Sequence, residues 1–215
     1  MSEIQVRPYD VRDRAALVAL FGAAGEGAPA SEAWGHEQSL AEVYLTPYLD
    51  LEPESVFVVH VDGRPAGYLA GCVDETAFPS EEARTEAAIR KYRLYRMSGP
   101  RRFFVRARVD AILLRLRRQP VAGELADPRW PSHLHIDLLP AARGTGAAEE
   151  MMRAWFDQLL AAGSPGCYLQ TSAENVRAIR YFERMGFTKH GANPVVPGLR
   201  HDGRRMHQQT MVWSA

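Results

Sequence analysis

Between Leu138 and Ala148 the chain reads Leu-Leu-Pro-Ala-Ala-Arg-Gly-Thr-Gly-Ala-Ala, and this stretch limits the fold more than any other. An alternating, strand-like run from His133 to Leu139 ends at Pro140, which has no N–H for a ladder. A helical pattern then runs from Gly146 to Ala162, with Met151, Met152, Trp155, Phe156, Leu159 and Leu160 on one face. Apart from Arg143, only small residues lie between. The strand must pass almost directly into a helix whose first amides lack intrahelical partners and whose dipole adds positive potential. Such a turn suits a pyrophosphate, although many turns of this kind merely cap a helix. The Gly-Lys-Ser/Thr of a phosphate loop does not follow, and the glycine spacing is not that of a dinucleotide turn.

The flanking segments alternate in type. Ile4 to Tyr9 reads as a first strand. Asp10 caps a helix that reaches Phe21, and Gly22 to Ala30 is a loop. Ser31 opens a second helical stretch holding Trp34, Leu40, Val43 and Tyr44. Ser55 to Val61 and Ala66 to Val73 form a hairpin over Asp62-Gly63. After the turn Gly163 to Gly166 come a strand, Cys167 to Thr171, and a helix, Asn175 to Met185, stopped by Gly186. Phe187 to His190 and Thr210 to Trp213 complete the sheet, joined by a polar loop. This order predicts an α/β (α+β) fold, a mixed sheet with helices on both faces. Residues 75–132 read as a helical insertion between the third and fourth strands. Its helices are Glu81 to Met97 and Arg102 to Arg118, broken at Ser98-Gly99-Pro100. At 215 residues, one domain over 1–215 can bury a sizeable core.

Lys plus Arg and Asp plus Glu number 26 each, so no global field points to nucleic acid. No run of 18 apolar residues provides a membrane span, and the first residues do not resemble a signal peptide. Cys72 and Cys167 sit in apolar surroundings at no metal-binding spacing, which fits a reducing, cytoplasmic setting. The charge is nevertheless divided. Between Arg14 and Arg64 there are eight acids and no Lys or Arg, whereas Arg84 to Arg118 holds eleven arginines, Lys91 and only two acids. The basic stretch is either a set of solvated helix faces or a wall near a phosphate-bearing ligand. Ile89, Tyr92, Tyr95, Ile112, Leu113 and Leu116 recur at helical spacing and need a surface: the sheet beside a substrate cleft, or a second copy in a homodimer.

His133, His135 and Asp137 alternate onto one face of the strand that leads into the glycine turn. An imidazole or carboxylate there could take a proton from an ammonium, directly or through water. The plainer reading is hydrogen-bonded core residues. Alternation along one strand spaces the three poorly for a tetrahedral zinc, so no metal is expected.

Arg143-Gly144-Thr145-Gly146-Ala147-Ala148 resembles the Gln/Arg-x-x-Gly-x-Gly/Ala motif of the GNAT superfamily of acetyl-CoA-dependent N-acetyltransferases. Asn175 to Phe187 is similar to that family's Asn-x-x-Ala-x-x-x-Tyr-x-x-x-Gly-Phe helix, and the order of elements agrees from Ile4 to Trp213. Trp130 to Pro140 is similar to the acetyltransferase-like domain of O-GlcNAcase and its stand-alone bacterial relatives. The resemblance implies a mostly antiparallel, twisted sheet splayed between its fourth and fifth strands. It also implies acetyl-CoA as co-substrate and a primary amine as acceptor, joined in a ternary complex. Leu138 and Leu139 would then offer backbone groups to the pantetheine arm. Arg143, Gly144, Thr145, Gly146, Ala147 and Ala148 would hold the pyrophosphate. Asn175 would touch the pantetheine, or serve only as a helix cap. The family's usual acid, a Tyr four residues before Gly-Phe, is replaced by Phe182, which stays in the cofactor-side set but has no proton to give. Tyr181 lies about 100° away around the helix and is an alternative acid, as are Tyr168 and Ser172. The expected catalytic set is Asp137, His135 and Tyr181. The rival reading is a module that binds acetyl-CoA with weak or no catalysis.

Overall fold

The computed structural model describes residues 3–25 and 28–215, so Glu26 and Gly27 of the expected Gly22 to Ala30 loop lie outside the described residues. Strand β1 (Ile4–Pro8) is followed by α1 (Arg14–Ala24), α2 (Pro29–Trp34), α3 (Glu37–Tyr44) and α4 (Thr46–Leu51). The hairpin β2 (Val56–Val61) and β3 (Arg64–Cys72) leads to α5 (Glu81–Tyr92) and α6 (Ser98–Leu116). Then come β4 (Ser132–Leu138), α7 (Ala147–Ala161), β5 (Gly166–Ser172), α8 (Val176–Arg184), β6 (Thr188–His190), β7 (Val195–His201) and β8 (Arg204–Ser214). The sheet runs β1-β2-β3-β4-β5-β8-β6, with β7 paired to β8 off this path. Every pairing between these strands is antiparallel except β4 with β5, and an isolated parallel bridge joins Val121 to Val195. The sheet is mixed and mostly antiparallel, with helices on both faces, as the alternation of elements requires.

Period-two alternation assigns the two faces. Leu134 and Leu169 join Met151, Met152, Trp155 and Leu159 of α7, and Ile179 and Phe182 of α8, in one core cluster. Gly71 lies on this face because any Cβ there would overlap the Trp155 ring. The opposite face sets Val56, Val58, Tyr68, Ala70 and Cys72 against Leu17, Leu20, Leu45, Tyr48 and Leu49. His133, His135 and Asp137 pair with Cys72, Ala70 and Tyr68 and so belong to that second face.

Three expectations need correction. The second helical stretch is three helices, parted at Gly35, whose φ is 72°, and at Leu45. Ser98-Gly99-Pro100 does not break the insertion but begins α6, since a proline in the first turn forfeits no intrahelical bond. The break falls instead at Arg93, with φ 53°, and the short turn Leu94–Arg96. The polar loop before β8 is a hairpin, β7–β8, turning on Asp202-Gly203 with φ of 49° and 75°. That is the same Asp-Gly signal that located Asp62-Gly63, with φ of 50° and 75°.

In the insertion, Trp34, Leu40 and Val43 pack against Ala88 and Leu94, joined by Ile89, Tyr92, Phe103 and Phe104. α6 lies along β7, where Asp110, 4% exposed, accepts from the Gly198 N–H at 2.9 Å and from Arg200 at 2.7 and 2.8 Å.

Candidate active site

β4 and β5 are paired only at Ser132 with Cys167 and His133 with Tyr168. Both strands then continue, β4 to Leu138 and β5 to Ser172, without pairing with each other. Their facing edges are left for an extended, amide-bearing guest, which can pair with an open strand edge. The parting ends at the turn that opens α7. There Gly144 and Gly146 have φ of 76° and 90°, and a Cβ on either would meet nothing within 4 Å. Gly146 is the N-cap, with a left-handed backbone; the Ala147 N–H donates to Thr145 Oγ1 at 3.4 Å, and the next amides of α7 have no intrahelical acceptor.

Thr145 braces the turn by donating to the Ala142 carbonyl at 2.8 Å, and the Arg143 Nε donates to the Leu138 carbonyl at 3.0 Å. Leu139 uses both its backbone groups internally, donating to Ala66 at 2.8 Å and accepting from Ala142 at 3.0 Å. Ala147 is buried and Ala148 partly so. Asn175 caps α8 by accepting from the Ala178 N–H at 3.1 Å, and its residue is exposed. Phe182, 6% exposed, belongs to the apolar core, packed edge-on to Phe187. The Tyr181 hydroxyl is buried with no hydrogen-bond partner among the described residues, and burial, with Glu149 adding, pushes its pKa up.

On the other face of β4 the polar side chains each meet side chains of neighbouring elements. The Tyr68 hydroxyl donates to Asp137 Oδ2 at 2.6 Å. Burial raises the Asp137 carboxyl above its ordinary range, against smaller opposing pulls from Tyr68 and Arg143. His135 lies between the rings of Tyr44 and Tyr48, at 5.7 and 5.3 Å, and burial with Arg84 lowers its pKa to about 4. His133 Nε2 is 2.8 Å from the Tyr48 hydroxyl, and its Nδ1 lies 4.0 Å from Glu75. Burial, reinforced by His135 and Arg84, lowers the His133 pKa to about 3. Glu75 accepts from Tyr168 at 3.0 Å, and Glu81 accepts from Tyr44 at 2.6 Å. Arg84, 7% exposed, is held by the Val43 carbonyl and by Glu124 at 3.2 Å. Sequence periodicity pointed to the three β4 residues but missed Tyr44, Tyr48, Tyr68, Glu81 and Arg84. The register of the β3–β4 pairing, Tyr68 opposite Asp137, is the signal that reveals the first of these contacts.

The histidines carry a stability prediction. Unfolded imidazoles take up protons below pH about 6.5, whereas the folded ones resist until about 4 and 3. Unfolding free energy from urea titration should therefore fall as pH drops from about 6.5 toward 4. His135→Asn should flatten that slope; an unchanged slope would refute a buried, neutral His135.

The solved structures similar to this chain match it along nearly its whole length. The protein named SsHAT matches with a TM-score of 0.61 and 21% identity, over 99% of this chain and 98% of that one. A polyamine N-acetyltransferase of Drosophila melanogaster matches with a TM-score of 0.61 and 17% identity, over 99% and 100%. Salmonella typhimurium yncA, whose structure contains acetyl-CoA, matches with 0.58 and 15%, over 98% and 93%. At these identities the likeness concerns the fold. The acetyltransferase (GNAT) family profile, by contrast, matches the sequence itself across residues 25–187, from the end of α1 to the brink of β6. That span takes in the splayed strands, the glycine turn and the α8 motif together, and on it the chain belongs to the GNAT family of acetyltransferases.

Proposed function

We propose that the protein transfers the acetyl group of acetyl-CoA to a primary amine, by direct attack within a ternary complex. The observation that carries this reading is the parting of β4 from β5 beside the open turn at Gly144 and Gly146. When bound, acetyl-CoA supplies the activated acyl carbon and a thiolate leaving group. The edges of β4 and β5 hold the extended arm, and the first amides of α7 hold the pyrophosphate. Asp137 ends the polar face of β4, next to Leu138, so its carboxylate accepts the proton that the incoming ammonium must lose. His135, neutral at physiological pH, orients the amine by hydrogen bonding. Glu75, Glu81 and Glu124 share that face with one pinned cation, Arg84, which favours a cationic acceptor.

Binding without turnover is the second reading, favoured by Phe182 at the family's acid position and by the buried Tyr181 hydroxyl. Thermal shift and turnover separate the two. Acetyl-CoA at about a hundred times its Kd should stabilise the fold by roughly 2.7 kcal/mol. Gly146→Glu should abolish the shift, because a carboxylate would then occupy the anion's place and the backbone would be strained at φ 90°. An undiminished shift in that variant would remove the binding site from this turn. A normal shift with no acetylation of any of a panel of amines would establish the binding module.

A further inference from the structure

α6 buries one side and leaves the other bare. Its inner side, with Pro100, Asp110 and Leu114, faces α2 and the β7–β8 hairpin. Helical geometry brings Val105, Val109, Ile112 and Leu116 into one line on the outer side. They are 58, 51, 49 and 76% exposed, with Leu113 beside them at 37%. Ile112, Leu113 and Leu116, expected to cover the sheet or a second copy, do not cover the sheet but face outward. Exposed Tyr95 and Met97 add apolar surface just before the start of the helix.

Arginines border this line on both sides. Exposed Arg101, Arg108 and Arg115 recur at every seventh residue along one edge, and exposed Arg102 and Arg117 follow the other. Among the described residues none of these five has an ion-pair partner. The one acid of the helix, Asp110, is turned inward and held by Arg200. The outer face is thus aliphatic in the middle, cationic at both margins and free of acids.

We propose that this face of α6 docks on an anionic bilayer surface. The aliphatic line enters the boundary between headgroups and acyl chains, and the arginines reach the lipid phosphates and carboxylates while their stems stay on apolar ground. Charge and shape select this occupant. A second copy docking α6 on α6 would bring arginine rows against each other. A helical partner would find a seam of two heptads, short of the three or four that sustain a coiled coil, on a ridge instead of in a groove. A membrane surface needs only a flat-lying helix, and this one has 19 residues, about 28 Å. Among the described residues no helix is long and apolar enough to cross a membrane, so the contact is peripheral. On this exposed side of the helix, apolar insertion and charge attraction act together.

Co-sedimentation of the full chain with phospholipid vesicles tests this. Binding is expected to vesicles of phosphatidylcholine with phosphatidylserine, weakening as salt rises, and to be at least about tenfold weaker on phosphatidylcholine alone. Arg108→Glu with Arg115→Glu, and separately Ile112→Glu with Leu116→Glu, should each reduce the anionic binding at least about tenfold. These are exposed positions, so circular dichroism and melting should stay unchanged. Absence of anionic-vesicle binding, equal binding to both vesicle types, or binding that survives both variants overturns the proposal. So does a solution dimer that Ile112→Glu with Leu116→Glu splits, or capture of a Glu-rich amphipathic helical peptide by a chain that ignores vesicles.

Discussion

Asp137→Asn is expected to slow acetyl transfer by about 10²- to 10⁴-fold, the usual contribution of a positioned general base. Its geometry sets the expectation. Asp137 is the last polar residue of β4, one residue from the strand end where β4 and β5 have parted. The Tyr68 hydroxyl fixes one carboxylate oxygen at 2.6 Å, which leaves the other for an ammonium or a bridging water. Asparagine keeps the shape but cannot take a proton. The loss should fall on kcat, with the acetyl-CoA thermal shift unchanged, because the proposed anion turn at Gly144 and Gly146 does not include Asp137. The pH profile adds a second reading. Burial raises the Asp137 pKa, so a base at this position would be lost by protonation at a higher pH than an ordinary carboxylate, and activity is expected to fall on the acid side accordingly. Tyr68→Phe removes a hydrogen bond that favours the charged form and should move that acid limb further up. Full activity in Asp137→Asn would transfer the role to His135 or to solvent.

Asp110→Ala should destabilise the fold by about 3–5 kcal/mol, the range for removing one partner of a buried ion pair. At the scaling for chains of this size that lowers the melting temperature by roughly 6–20 °C. The carboxylate is 4% exposed and receives the Gly198 N–H and the Arg200 guanidinium, with Arg205 at 3.5 Å. Without it a largely buried guanidinium and an amide lose their acceptor, and the seam between α6 and β7 opens. Desolvation pushes the Asp110 pKa up, but Gly198 and Arg200 outweigh it and hold it below the ordinary value. Its stabilisation is therefore present at neutral pH and lost in acid as the folded-state pKa is passed. Asp110→Leu with Arg200→Met should recover much of the loss, since a well-packed apolar pair can replace a buried ion pair. A change in melting temperature below about 2 °C in Asp110→Ala would show the pair to be dispensable.

The local rules legible in this chain were those that act over a few residues. Pro140 after an alternating run and the small residues up to Ala148 determined that a strand passes into a helix there, because steric permission and unpaired amides depend only on neighbours along the chain. Alternation put His133, His135 and Asp137 on one face, and the Asp62-Gly63 pair located the first hairpin. The same pair at Asp202-Gly203 was overlooked because the residues around it are polar, so no apolar alternation announced its strands. Ser98-Gly99-Pro100 read as a break because Gly and Pro disfavour helix interiors, whereas position within the first turn, visible only in three dimensions, makes them harmless. Tertiary structure alone decided which polar groups meet. Tyr68 reaches Asp137, Tyr44 reaches Glu81, and Asp110 meets Arg200 across 90 residues. It decided as well which side of α6 is covered: periodicity marks apolar residues, but both its Phe103–Phe104 side and its Val105–Leu116 line are apolar. Packing against α2 and the β7–β8 hairpin could bury only one of them, since a helix on the surface offers one side to the core and the other to whatever lies outside.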